Sequence, residues 1–142
     1  MRPIRLMIVD DNQDDIALLT ESFSRRNASL ECLTASDGME AIEKLRDRRD
    51  TAPSALPDLI LLDLNMPRMD GREFLTVAKA DNRIGRIPVV VLTSSASDAD
   101  VLRAYQAHAN GYLVKPSDLD ELHQIVELID HYWLRASSLP QS

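Results

Sequence analysis

The chain has 142 residues, one cysteine and a formal charge of −7, from 16 Lys and Arg against 23 Asp and Glu. A chain of this length suits one domain, which buries roughly 70% of its unfolded surface; the acidic balance excludes the clustered basic footprint of a nucleic-acid reader. The single thiol, Cys32, excludes an internal disulfide or a thiolate metal cluster, and no apolar run approaches the roughly 20 residues of a bilayer span.

In chain order, residues 5–9 read as a first strand. Asn12, with Asp15 three residues on, caps a helix whose apolar stripe is Ile16, Leu19 and Phe23 and whose stop is Arg25, Arg26 and Asn27. Residues 30–35 form a second strand, where Cys32 reads as a small buried hydrophobe. A second helix spans about 38–46, and residues 47–57, carrying Pro53 and Pro57, read as an extended polar loop. The run Leu59, Ile60, Leu61, Leu62 is a third strand, and Asp70 with Glu73 caps a third helix carrying Phe74, Leu75 and Ala78 inward. Residues 88–92 give a fourth strand, Ser97 with Asp100 a fourth helix start, and Asn110 and Gly111 the return to a strand at 111–114. Ser117 with Asp120 starts a long last helix, apolar at Leu119, Leu122, Ile125, Val126 and Ile129 and running through Leu134. The expected organisation is one domain over residues 1–134 and a tail over 135–142. With no signal-peptide pattern at the start, a soluble cytoplasmic protein is expected.

Strand and helix alternate five times, the pattern of an α/β domain with a parallel sheet covered on both faces. Crossovers in such sheets are right-handed, so a flavodoxin-like, doubly wound (βα)5 fold with strand order 2-1-3-4-5 is expected. Ligands of these sheets sit beyond the carboxyl ends of the strands, at the switch point between the first and third. Asp10 and Asp11 end the first strand there and Asp63 ends the third; Thr93 and Lys115 follow the fourth and fifth on the same edge.

Crowded carboxylates raise one another's pKa, so the cluster calls for protons or a cation. Oxygen-only ligands suit Mg2+, which takes one or two carboxylates and keeps waters for a phosphate. Asp63 can then attack a phosphoryl donor in line, the transferred oxygens being held by the cation, Lys115 and the Thr93 hydroxyl, while small Ser94 and Ser95 leave room for the donor. Taken singly, each residue has a plainer role as a turn former, a cap or a surface charge. Folding alone does not call for three acids at one sheet end.

These motifs together resemble the response-regulator receiver domain of two-component signalling. Val9 Asp10 Asp11 is similar to the family's acidic pair, Leu62 Asp63 Leu64 Asn65 Met66 Pro67 with Asp70 Gly71 to its phosphoacceptor segment, Leu92 Thr93 Ser94 to its switch hydroxyl, and Lys115 Pro116 to its closing lysine. The resemblance implies phosphotransfer from a sensor histidine kinase to Asp63. It also implies metal ligation by Asp11, Asp63 and the Asn65 backbone carbonyl, with Asp10 acting through the metal's water shell. Tyr112 matches the aromatic switch position that works with Thr93. Two alternatives stay open. One is a docking module of the same fold that is never phosphorylated. The other is a haloacid-dehalogenase-like phosphatase, which wants a second aspartate where Asn65 stands and so lacks its acid and base.

The segment from Tyr105 to Lys115, the long last helix and the ending His131 Tyr132 Trp133 Leu134 resemble stand-alone regulators that serve phytochrome-type kinases. The output implied is a switch in the face of the fourth helix, fifth strand and fifth helix, which is also the homodimer contact implied. A last helix running to Leu134 is roughly 27 Å long, so its end is expected to project past the core and offer Tyr132 and Trp133 to a partner. The plainer alternative is that both rings cap the domain's own core.

Overall fold

The structure, a computed structural model, describes residues 3–140; the last two residues of the expected 135–142 tail lie outside the described residues. Strands β1 (Arg5–Val9), β2 (Glu31–Ala35), β3 (Leu59–Leu62), β4 (Val89–Thr93) and β5 (Gly111–Val114) pair in parallel in the order β2-β1-β3-β4-β5. The expected topology is borne out.

Five helices cover the sheet: α1 (Gln13–Arg26), α2 (Gly38–Thr51), α3 (Gly71–Ala80), α4 (Asp98–Gln106) and α5 (Leu119–Ile129). Because strand side chains alternate between faces, the sheet feeds two cores. Met7, Val9, Ile60, Leu62, Val89 and Val91 meet α2, α3 and Ala104 of α4, while Leu6, Ile8, Leu59, Leu61, Val90 and Leu92 meet α1 and α5. Phe74 on one face and Phe23 on the other are fully buried, each contributing about 2–3 kcal/mol by removal from water.

The caps at Asn12, Asp70 and Ser97 accept from the N–H of Asp15, Glu73 and Asp100 as expected. Several boundaries differ from the sequence reading. The fourth strand takes in Thr93, and α2 runs on to Thr51 and is followed by a 3-10 turn at Pro53–Ala55, so much of the expected polar loop is helical. Arg48 and Arg49 close α2 favourably against its dipole, and the Arg48 guanidinium donates to the Ala55 carbonyl at 2.7 Å. Cys32 is only half-buried, because β2 is an edge strand.

The start of the last helix also differs. Asp118, not Ser117, caps α5, its carboxylate accepting the Asp120 N–H at 2.7 Å. After Ile129 the helix continues with π winding over Asp130–Ala136, so helical structure runs through Leu134 as expected. Asp130 is buried there and pairs with Arg26 at 3.3 Å and Arg135 at 2.9 Å, and Leu134 is buried too. The two aromatic rings therefore part company. Trp133 is half-buried against the α1/α5 core, whereas Tyr132 stays 53% exposed, the rings meeting edge to face at 5.2 Å.

Candidate functional site

Backbone hydrogen bonds carry the strand ends to one edge. The Asp10 N–H donates to the Ala35 carbonyl, the Asp63 N–H to Val9 and the Lys115 N–H to Thr93, so acids, hydroxyl and ammonium follow directly from paired strands. The loop after β3 closes on itself through the Gly71 N–H to Leu64 carbonyl bond at 2.9 Å. A Cβ at Gly71 would stand 2.5 Å from the Asp63 carbonyl oxygen and 2.7 Å from the Leu64 Cα, so only glycine lets α3 start this close to the acid. The loop is also tied to α2. Arg68, at a left-handed φ of 63°, donates to both oxygens of the buried Asp37 at 2.8 and 3.1 Å. The Arg68 guanidinium and the N–H groups at the start of α2 hold the Asp37 carboxyl below the usual range.

Carboxylate oxygens of Asp10, Asp11 and Asp63 lie within 4.8 Å of one another. Asp10 and Asp63 are buried and Asp11 is exposed, which leaves the cluster open to water on one side. Both Asp10 oxygens are engaged, Oδ1 by the Asn12 N–H at 2.9 Å and Oδ2 by the Lys115 ammonium at 2.7 Å. Burial pushes the Asp10 carboxyl up and the Asp63 charge adds to this, with Lys115 opposing. One ammonium does not balance three carboxylates, so the donor set and its open side fit a hard divalent cation with bound waters. Asn65, two residues beyond Asp63, is exposed.

The Thr93 hydroxyl is fully buried and has no hydrogen-bond partner among the described residues. A buried, unpaired hydroxyl is costly, and this one ends β4 beside the acids. Ser94 is exposed; Ser95 is half-buried and its hydroxyl donates to Asp100 at 2.6 Å. The Tyr112 phenol donates to the Ser95 carbonyl.

Sequence reasoning missed two participants. Asp15 was assigned to the cap, where its N–H serves, yet its carboxylate also accepts from Lys115 at 2.8 Å. Arg72 on α3 bonds Asp100 on α4 at 3.1 Å and so braces the loop carrying Ser95. Lys115 follows β5 as expected, but its bonds go to Asp10 and Asp15. Burial lowers its pKa and these two carboxylates more than reverse that, so the ammonium stays charged beyond its ordinary range.

A parallel sheet of this order, with an acid pair after β1, an acid after β3, a buried hydroxyl at the end of β4 and a lysine after β5, defines a receiver-type domain. The family model for the response regulator receiver domain matches residues 6–127, and the chain belongs to that family. Response regulator Rcp1 of Synechocystis is 38% identical, the match covering 97% of this chain and 94% of that protein. The phosphorylated cyanobacterial phytochrome response regulator RcpA superposes with a TM-score of 0.91 at 42% identity, covering 98% of this chain and 99% of that one. The Mn(2+)-bound form of Rcp1 gives a TM-score of 0.88 at 38% identity, over 97% and 99% of the two chains.

Proposed function

We propose that this receiver domain accepts a phosphoryl group on Asp63 from a sensor histidine kinase of the phytochrome type. A carboxylate oxygen of Asp63 forms the new P–O bond as the P–N bond of the donor's phosphohistidine breaks, and the departing imidazole takes a proton from water. Asp11, Asp63 and the Asn65 carbonyl would hold Mg2+, with Asp10 assisting, and the bound cation would supply charge to offset the crowded anions. Lys115 and the Thr93 hydroxyl receive the transferred oxygens, and Ser94 and Ser95 leave room for the donor. The observation that carries this reading is the buried Thr93 hydroxyl without a partner, beside three carboxylates within 4.8 Å.

The acyl phosphate is lost again by attack of water past Asn65 and Ser95, so the domain hydrolyses only its own phosphate. Thr93 and Tyr112 couple the site to the face of α4, β5 and α5, which serves as a homodimer contact. Exposed Leu102 and Tyr105 on α4, Val114 on β5, Leu119 and Leu128 on α5, and Tyr132 support that role. Trp133 packs edge to face against Tyr132 at 5.2 Å. No described helix is long and apolar enough to cross a membrane; the cytoplasmic placement of a domain over residues 1–134 with a tail over 135–142 rests on the likeness to response regulators.

Incubation with acetyl phosphate and Mg2+, followed by intact mass, tests the reading. One phosphoryl group is expected on the wild type and none on Asp63→Ala or in the presence of a chelator. An unchanged wild-type mass favours a docking module instead.

A further inference from the structure

Lysine presents a point charge with three N–H donors on a flexible stem, so its direction must come from its surroundings. In this site two of the three donors are committed, one to Asp10 Oδ2 at 2.7 Å and one to Asp15 Oδ2 at 2.8 Å. The anchors come from different elements, the end of β1 and the first turn of α1, and together they fix the ammonium on two sides. They are not equivalent. Asp10 belongs to the carboxylate cluster around Asp63, whereas Asp15 lies outside it and, among the described residues, has Lys115 as its only ion-pair partner. Its side chain is three-quarters buried, with 25% of its surface exposed, so the pair is shielded from competing water.

We propose that Asp15 is a positioning residue for phosphoryl transfer: as a second anchor from outside the acid cluster, it holds Lys115 so that the third ammonium donor is left for the phosphoryl oxygens on Asp63. This rests on the reading of Asp63 as the phosphoacceptor. With Asp15 removed, the lysine is held by Asp10 alone and swings about that single bond. Asp15→Ala keeps the helix cap, because the cap uses the Asp15 N–H and the Asn12 side chain at 3.1 Å.

The test is the rate of phosphoryl uptake from acetyl phosphate at fixed Mg2+, read by intact mass on the full chain. Asp15→Ala is expected to slow uptake about tenfold to a hundredfold, the scale of a misplaced reacting group, with a smaller loss in Asp15→Asn and recovery in Asp15→Glu. In a Lys115→Met background, Asp15→Ala is expected to add nothing, because both changes act through the same ammonium. Unchanged or faster uptake in Asp15→Ala, or a further loss on top of Lys115→Met, overturns the proposal while the phosphoacceptor reading stands. Absence of uptake in the wild type overturns both. Should Asp15→Ala not unfold cooperatively in urea, the Asp15→Asn and Asp15→Glu pair carries the same comparison.

Discussion

The Tyr112 hydroxyl donates to the backbone carbonyl of Ser95 at 2.9 Å, and so ties β5 to the loop that begins at the unpartnered Thr93. The same loop is held from the other side by Asp100, which accepts from the Ser95 hydroxyl at 2.6 Å and from Arg72 of α3 at 3.1 Å. One short segment thus feels the phosphate site, the sheet edge and two helices. Tyr112→Phe removes one partly shielded hydrogen bond, worth about 1 kcal/mol. Urea denaturation is expected to show that loss, while uptake from acetyl phosphate stays within about twofold, because the phenol touches no reacting atom. A tenfold fall in uptake would place Tyr112 in the chemistry rather than in the relay.

Thr93→Val is a test of function against stability. The hydroxyl is buried without a partner, so exchanging it for a methyl of similar shape relieves a desolvation cost. The variant is expected to be more stable by about 0.5–1.5 kcal/mol in urea without Mg2+ or donor, yet to lose the coupling between phosphate and the α4/β5/α5 face. Destabilisation of that size instead would mean the hydroxyl already has a native partner.

Gly71→Ala pushes a methyl into backbone, at 2.5 Å from the Asp63 oxygen and 2.7 Å from the Leu64 Cα. Backbone cannot swing aside as a flexible side chain does. Overpacking of this kind costs about 1–3 kcal/mol, and the displaced atoms are those of the phosphoacceptor loop, so thermal unfolding and Mg2+ titration are expected to weaken together. Equal Mg2+ affinity in a destabilised variant would separate the loop's packing from its ligand geometry.

Acid stability depends in part on Glu40 at the start of α2. Its carboxylate accepts from the Ser36 N–H and hydroxyl and pairs with Lys44 at 3.0 Å, and these partners lower its pKa from 4.5 to about 2. With the folded value below the unfolded one, the unfolded chain binds more protons in that window. The contribution is therefore complete above the unfolded value and disappears as pH falls toward the folded one. Urea midpoints of wild type and Glu40→Gln are expected to differ at about pH 6 and to converge toward about pH 2.5. Parallel curves would remove Glu40 from the acid limb.

The strand-end residues were legible because a parallel sheet of fixed order leaves little freedom: once Asp10, Asp63, Thr93 and Lys115 were assigned to strand ends, pairing brought them to one edge. The buried face of each helix was legible from periodicity for the same reason. What stayed hidden depended on side-chain reach and on competition between roles. Asp15 looked fully explained as part of a cap, and nothing in its spacing shows that the backbone serves the cap while the carboxylate serves Lys115. The Arg68 to Asp37 bonds join residues far apart in sequence. The last helix keeps its helical course past Leu134, as its apolar period indicates, but that period does not disclose the π winding after Ile129, the burial of Asp130 between Arg26 and Arg135, or the split between a half-buried Trp133 and an exposed Tyr132.

The most direct measurement is a crystal structure of the protein with Mg2+ and beryllium fluoride, which mimics the acyl phosphate. The account predicts the fluoride adduct on an Asp63 oxygen, the cation against Asp11 and Asp63, the Thr93 hydroxyl now bonded to the adduct, and Lys115 reaching it while still bonded to Asp15. An empty cleft under those conditions, with the carboxylates spread apart and Thr93 unpartnered, would contradict it.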